Sequence, residues 1–368
     1  MKDIAIGSTT IGRNKPVYVI AEIGTAHGGD EEKASDLIFA AAEAGADCAK
    51  YQMVYADEIV HSNMGSIPLP GGNVHLFERF LELERDIEFY AKLKEITESN
   101  GLTFLCTAFG RKSVSYLREI GADAVKIASP ELLHLPLLES IANWGVPALM
   151  STGVSTLGDI ETALGLLPQD KALLHCVTAY PALPEHYNLR LLANLSAIFG
   201  TLVGLSDHSE DPRLVPVLAV LQGACVIEKH ITLSRQGQEL DDQVAQTPEK
   251  FSEMVRAIRG AESRNRNITF SELREEYGEV RIENVLGSGV KKLAPPERGI
   301  YRTTNRSILS VREIASGEIL TEENIALLRC EKNLQPGLPP GTFKNILGKN
   351  TVRSIPSGRG ISWEDLLT

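Results

Sequence analysis

The chain has 368 residues, 43% of them hydrophobic and 23% charged, an ordinary globular composition able to bury a full core. With 37 Lys and Arg against 48 Asp and Glu, the formal net charge of -11 argues against broad nucleic-acid binding and against an anionic membrane surface. The length suits a (β/α)8 barrel of ~250 residues with a small appendage.

Eight apolar runs follow in chain order: VYVIAEIG (17–24), ADCAKYQ (46–52), LTFLCTAF (102–109), AVKIAS (124–129), PALMSTG (147–153), ALLHCVTAYP (172–181), LVGLSDH (202–208) and ACVIEKHIT (224–232). Their near-continuous Val, Ile, Leu and Ala suit parallel strands covered on both faces. Each closes on polar or ionisable groups: Glu22, Lys50 with Gln52, Thr107, Lys126 with Ser129, Ser151, Thr178, Ser206 with His208, and His230. Between the first two runs, Leu37, Ile38, Ala41 and Ala44 recur at helical spacing before Gly45 stops the helix. The same reasoning predicts helices near 86–99, 112–120, 135–143, 156–166, 211–222 and 248–262. The alternation specifies an α/β architecture. Eight strands predict closure into a TIM-type barrel whose polar strand ends form the catalytic face.

Residues 53–80 break the rhythm. They hold HSNMGSIPLPGGN, dense in Gly, Pro, Ser and Asn, and read as a long loop at the catalytic end. The predicted domains are a barrel over 1–265, a linker over 266–300 and a small mainly-β domain over 301–368. The start of that linker is charged and partly helical, and its end, GSGVKKLAPPERG (287–299), is rich in Gly, Pro and Lys. Within the small domain, TEENIALL reads as a short helix with Thr321 as its N-cap. The five cysteines are odd in number and never spaced as CxxC; for the four inside apolar runs, Cys48, Cys106, Cys176 and Cys225, reduced, buried thiols are expected. Neither a secretory leader nor a membrane span is read from the sequence, so a cytoplasmic protein is expected.

AEIG (21–24) with His27, KYQ (50–52), KIASPE (126–131), STG (151–153), LLHC and AYP (173–181), GLSDH (204–208) and EKHIT (228–232) occur in one order. This set resembles the sialic acid (nonulosonic acid) synthase family. RSI (306–308), SGEILTEENI (316–325) and ILGK (346–349) resemble that family's C-terminal antifreeze-like (SAF) domain. The likeness covers almost the whole chain. It implies condensation of phosphoenolpyruvate (PEP) with an N-acylmannosamine-type aldehyde, giving a nine-carbon 2-keto acid and phosphate.

The residues can carry that chemistry. His208 and His230 end neighbouring strands, where two imidazoles could hold a divalent cation against an aldehyde oxygen; Mn2+ is expected, with Mg2+ or Co2+ as alternatives. A pair of hydrogen-bonded core histidines is the competing reading. PEP carries up to three negative charges, which Lys50, Lys126 and Thr107 would meet, with Ser129, Ser151, Thr178 and Ser206 as further donors. Lys229 alternates with His230 and is expected to point away. By the resemblance, Glu22 contacts the sugar, and Glu131 handles a proton or else pairs with Lys126. Gln52, Tyr180 and Asp241 also hold the sugar, although Asp242 stands beside Asp241. Arg306 would reach the acylated amino group from the partner chain of a domain-swapped homodimer, with an exposed arginine as the alternative.

The chain departs from the family pattern in places. The third strand has Cys106, Ala108 and Gly110 where S-T-P-F-D is common, Thr178 replaces an Asn, Ala26 replaces an Asn before His27, and Asn305 replaces the first Arg of an RRS. These changes leave the acceptor open between N-acetylmannosamine and the di-N-acylated deoxy sugars that lead to legionaminic or pseudaminic acid. The rivals are a Schiff-base aldolase using Lys126 and a non-catalytic sugar-binding protein.

Overall fold

A computed structural model describes residues 1–69, 72–331 and 333–367. A hairpin of β1 (Ile4–Ile6) and β2 (Thr9–Ile11) comes first. Its Ile4, Ile6 and Ile11 pack with Tyr18, Ile20, Leu149 and Leu174 inside the barrel, plugging the end opposite the polar strand termini. The first barrel strands are β3 (Tyr18–Gly24) and β4 (Cys48–Gln52). A second hairpin follows, β5 (Ser66–Leu69) with β6 (Gly72–His75). The barrel resumes with β7 (Thr103–Thr107), β8 (Val125–Ile127) and β9 (Ala148–Ser151). It ends with β10 (Lys171–Cys176), β11 (Leu202–Asp207) and β12 (Val226–His230). These eight parallel strands close in chain order, with β12 pairing back onto β3 through His230 opposite Glu22.

All eight strands lie within a few residues of the sequence reading, and so do the seven predicted helices. The helix Leu191–Phe199 was not predicted. Its Leu191, Leu192, Leu195, Ile198 and Phe199 recur at i, i+1, i+4, i+7 and i+8, one apolar face at helical spacing, so the signal was present in the sequence. Residues 53–80 are not the long loop expected. They form the helix Ala56–Ile59, the β5–β6 hairpin and the helix Leu76–Leu83. Val54, Ile59, Met64, Ile67, Phe80 and Leu83 bury together with Phe109. That apolar cluster overrides the Gly and Pro signals; Pro70 and Gly71 lie outside the described residues.

The stretch expected as a linker is also more ordered at its start. The helices Arg266–Tyr277 and Glu279–Leu286 bury Leu273, Ile282, Val285 and Leu286 in the barrel's outer core. The extended connection begins only after them. The small domain pairs β13 (Arg306–Ser310) with β14 (Ile325–Arg329) antiparallel, around Ile308, Ile314, Leu320, Ile346, Ile355 and Ile361. Thr321 caps no helix. Asn324 donates back to Thr321 O in a turn, and the following residues become β14 because Ile325 and Leu327 fill the core on one face. All five cysteines are free and buried, the four in apolar runs as expected. Among the described residues no helix is long and apolar enough to cross a membrane.

Candidate active site

Strand alternation sorts the termini. Glu22, Lys50, Thr107, Lys126, Ser151, Ser206, Glu228 and His230 face the barrel axis and line one cavity of ≈490 Å3 with Gln52, Ser129, Thr178, Tyr180, His208 and Asp241. Lys229 faces outward, where its ammonium meets Asp207 Oδ2 at 2.5 Å, as alternation predicted. Asp242 is also structural, accepting from Thr232 Oγ1 at 2.6 Å. That leaves Asp241 as the carboxylate at the cavity, with Oδ2 3.7 Å from His230 Nδ1.

Four charges alternate across the cavity floor. Glu22 Oε2 lies 2.6 Å from Lys50 Nζ, Lys50 3.6 Å from Glu228, and Glu228 3.7 Å from Lys126. Lys50 also donates to Thr107 Oγ1 at 3.2 Å, and Lys126 to Ser151 Oγ at 2.7 Å. Ser206 Oγ donates to Glu228 at 2.8 Å, and Gln52 Nε2 to Glu22 at 2.8 Å. Burial disfavours the Lys50 ammonium, but Glu22 and Glu228 more than compensate and leave its pKa raised. At Lys126 burial wins, with Lys50 adding to it, and the pKa is lowered. Burial opposes ionisation of Glu228 as well, yet Lys126 and Lys50 hold its carboxyl below the usual range. Two carboxylates already balance the two lysines, so an anionic ligand here would rely on the hydroxyls too.

Ser129, Ser151 and Thr178 converge beside that floor. Gly153 N–H donates to Ser129 Oγ at 3.0 Å. The Thr178 hydroxyl is buried without a hydrogen-bond partner among the described residues. On the other side, His208 Nδ1 contacts Val177 O at 2.9 Å, so that nitrogen carries the proton and Nε2 keeps its lone pair. The His208 and His230 rings are 5.7 Å apart, and Tyr180 stacks on His208 at 4.2 Å. Burial lowers both imidazole pKa values, favouring the neutral form that binds metals. No group of three or more His, Cys, Asp or Glu suited to a metal occurs among the described residues. Two imidazoles alone would leave the remaining positions of a cation to water and ligand.

Glu131 is placed differently from either sequence reading. It is fully buried behind the cavity, and its partners are not Lys126 but Arg306 and Arg329, each 2.5 Å away. Burial would raise its pKa, but the two guanidiniums and His134 hold the carboxyl far below the usual range. Arg306 is neither exposed nor at the cavity wall. It donates to Glu131 and to the carbonyls of Glu58, Ile59, Phe109 and Leu327. These contacts are made within one chain, where a partner's arginine was expected. Arg329 lines the cavity instead.

Three contributors escaped the sequence reading. Glu228 sits two residues before His230 and therefore shares its face, a signal that alternation carried. Arg329 directly follows TEENIALL, the segment read as helix, and ends β14 instead. The apolar wall of Ile59, Ile67, Leu76 and Phe80, which meets Phe109, was hidden in the supposed loop.

Comparison with known proteins follows the same outline. The NeuB family description matches residues 37–268, and the SAF domain description matches residues 305–367. The chain is 35% identical over 374 residues to the spore coat polysaccharide biosynthesis protein SpsE of Bacillus subtilis, spanning 100% of this chain and 98% of that protein. The crystal structure of SpsE superposes with a TM-score of 0.85, covering 100% of this chain and 99% of the other. An N,N'-diacetyllegionaminic acid synthase of Legionella pneumophila is 31% identical, over 96% of each chain. The human N-acetylneuraminate-9-phosphate synthase is 28% identical, over 94% of this chain and 91% of its own.

Proposed function

The chain belongs to the NeuB family, and on that footing we propose that it is a PEP-dependent nonulosonic acid synthase. The observation that carries this reading is the floor Glu22–Lys50–Glu228–Lys126, set between a cluster of hydroxyls and a pair of neutral imidazoles. Lys50 and Lys126 meet the phosphate and carboxylate of PEP. Thr107, Ser129, Ser151, Thr178 and Ser206 complete the cradle, and a phosphate oxygen would satisfy the unpartnered Thr178 hydroxyl. His208 and His230 would hold a divalent cation, Mn2+ before Mg2+ or Co2+, which when bound supplies Lewis-acid polarisation of the acceptor aldehyde.

In the balanced reaction, C3 of PEP bonds to the aldehyde carbon and the aldehyde oxygen takes a proton. Water adds at C2, and the C2–O bond breaks, so phosphate departs with the bridging oxygen. Glu22 and Glu228 face the cavity and can move these protons. Glu131 is held as an anion by two arginines and serves better as a tie between the domains. Gln52, Tyr180 and Asp241 orient the sugar beside Glu22. Arg306 acts on the sugar side only through Glu131 and Arg329. A domain-swapped homodimer forms part of the proposal, because swapping would exchange these same contacts between two chains.

The apolar wall bears on the acceptor. Ile67, Leu76 and Phe80 suit the methyl groups of N-acyl and deoxy positions, and would leave a phosphate without counter-charge. Arg329, the lining guanidinium among the described residues, is already paired with Glu131. A di-N-acetylated deoxyhexose, giving a legionaminic- or pseudaminic-type acid, is therefore favoured over N-acetylmannosamine, the first expectation from sequence. Phosphate release with a panel of N-acylated hexosamines tests this choice. The highest kcat/KM is expected for the di-N-acetylated deoxy sugar, and a preference for a 6-phosphorylated acceptor would overturn it.

A further inference from the structure

We propose that Glu297, in the connection between the two domains, is a positioning residue that builds the phosphate end of the site. The inference rests on the reading that this cradle takes PEP. Glu297 is 1% exposed, yet it touches no group of the charged floor. Its Oε1 accepts from Val154 N–H at 2.8 Å and from Thr178 N–H at 2.9 Å, while Oε2 accepts from Ala294 N–H at 2.9 Å. One carboxylate thus joins the turn after β9 to the segment after β10. A few residues earlier in the connection, Lys291 donates to Thr152 O at 2.8 Å.

What it holds needs holding. Val154 has a φ of 40°, a left-handed backbone that β-branched residues rarely adopt unless their surroundings impose it. Gly153, just before it, has room for no side chain. A Cβ there would lie 2.2 Å from Thr178 Oγ1 and 2.9 Å from Ser129 Oγ. The turn therefore brings the Ser129 and Thr178 hydroxyls together around Gly153, with Ser151 two residues before it, and Glu297 pins both sides. The Thr178 hydroxyl, buried and unpartnered, is the donor this arrangement presents to a ligand. Without the carboxylate, Val154 and Thr178 lose a shared acceptor, the turn relaxes and the hydroxyls separate. The effect falls on the phosphate end and leaves the sugar end untouched.

The test uses the full chain with its divalent cation, comparing Glu297→Ala and Glu297→Gln with the unaltered protein. KM is measured separately for PEP and for the acceptor, calorimetry follows PEP binding alone, and thermal midpoints are recorded. In Glu297→Ala the KM and Kd for PEP should rise by about tenfold or more, the scale of a small misplacement from outside the chemistry. The acceptor KM should stay within about twofold, because only one end of the site moves. Glu297→Gln keeps an acceptor oxygen for both N–H groups and should stay within about threefold for PEP. Unchanged PEP affinity in Glu297→Ala, equal weakening for both substrates, or a Gln variant as damaged as the Ala variant would each overturn the proposal. An unaltered chain that bound PEP but formed no keto acid would overturn the synthase reading alone, since the calorimetric comparison would still report on Glu297.

Discussion

Glu131→Gln separates two roles for one carboxylate. In the structure it lies between Arg306, whose side chain is fully buried, and Arg329, which is nearly so, with both guanidiniums at 2.5 Å. A glutamine keeps one oxygen for one arginine and turns an NH2 group toward the other, leaving a buried guanidinium uncompensated. Breaking a buried pair in this way costs about 3–5 kcal/mol, a large share of a typical domain's stability. Denaturant unfolding should lose that amount, and limited proteolysis of the 287–300 connection should accelerate as the small domain loosens. The pH dependence has a definite sign. The folded-state pKa is depressed, so this stabilisation is fully present above the unfolded carboxyl value, about 4.3. It is lost as pH falls from there toward the folded value, and the variant should lack that acid-sensitive component. Full stability combined with a kcat lowered by orders of magnitude would refute the reasoning and return Glu131 to proton handling.

His208→Ala should abolish turnover with little change in thermal midpoint, since its ring makes one backbone hydrogen bond and a stack on the half-exposed Tyr180; near-normal activity would exclude the metal role. EDTA should silence the unaltered enzyme and Mn2+ restore it, as phosphate-release assays can show. For Lys126→Met, the KM for PEP should rise by about a hundredfold or more, since a charge-assisted contact to an anion is worth about 1.5–3 kcal/mol and its loss also unbalances Glu228. A rise confined to the acceptor KM would contradict the cradle.

The barrel was legible because apolar runs end in polar side chains, and alternation along a strand decides what faces the axis. That logic placed Lys50, Lys126 and His230 inside and Lys229 outside. Applied one step further along β12 it would also have found Glu228. The rest depended on contacts distant in sequence. Glu131 pairs with Arg306 across 175 residues, and no local pattern distinguishes it from a catalytic acid at a strand end. Thr321 followed by Glu and Asn looks like a helix start until the small core claims Ile325 and Leu327 for a strand. HSNMGSIPLPGGN reads as a loop because its Gly and Pro are visible in the sequence, whereas Phe109, against which it folds, is not beside it.

The central claim is C–O cleavage of PEP during condensation with an N-acylated amino sugar. PEP carrying 18O in its bridging position should be incubated with a di-N-acetylated deoxymannose and Mn2+, and both products weighed by mass spectrometry. The label is expected in inorganic phosphate, with the nine-carbon 2-keto acid unlabelled. Label retained in the keto acid, or a pyruvyl adduct on Lys126 trapped by borohydride, would contradict it.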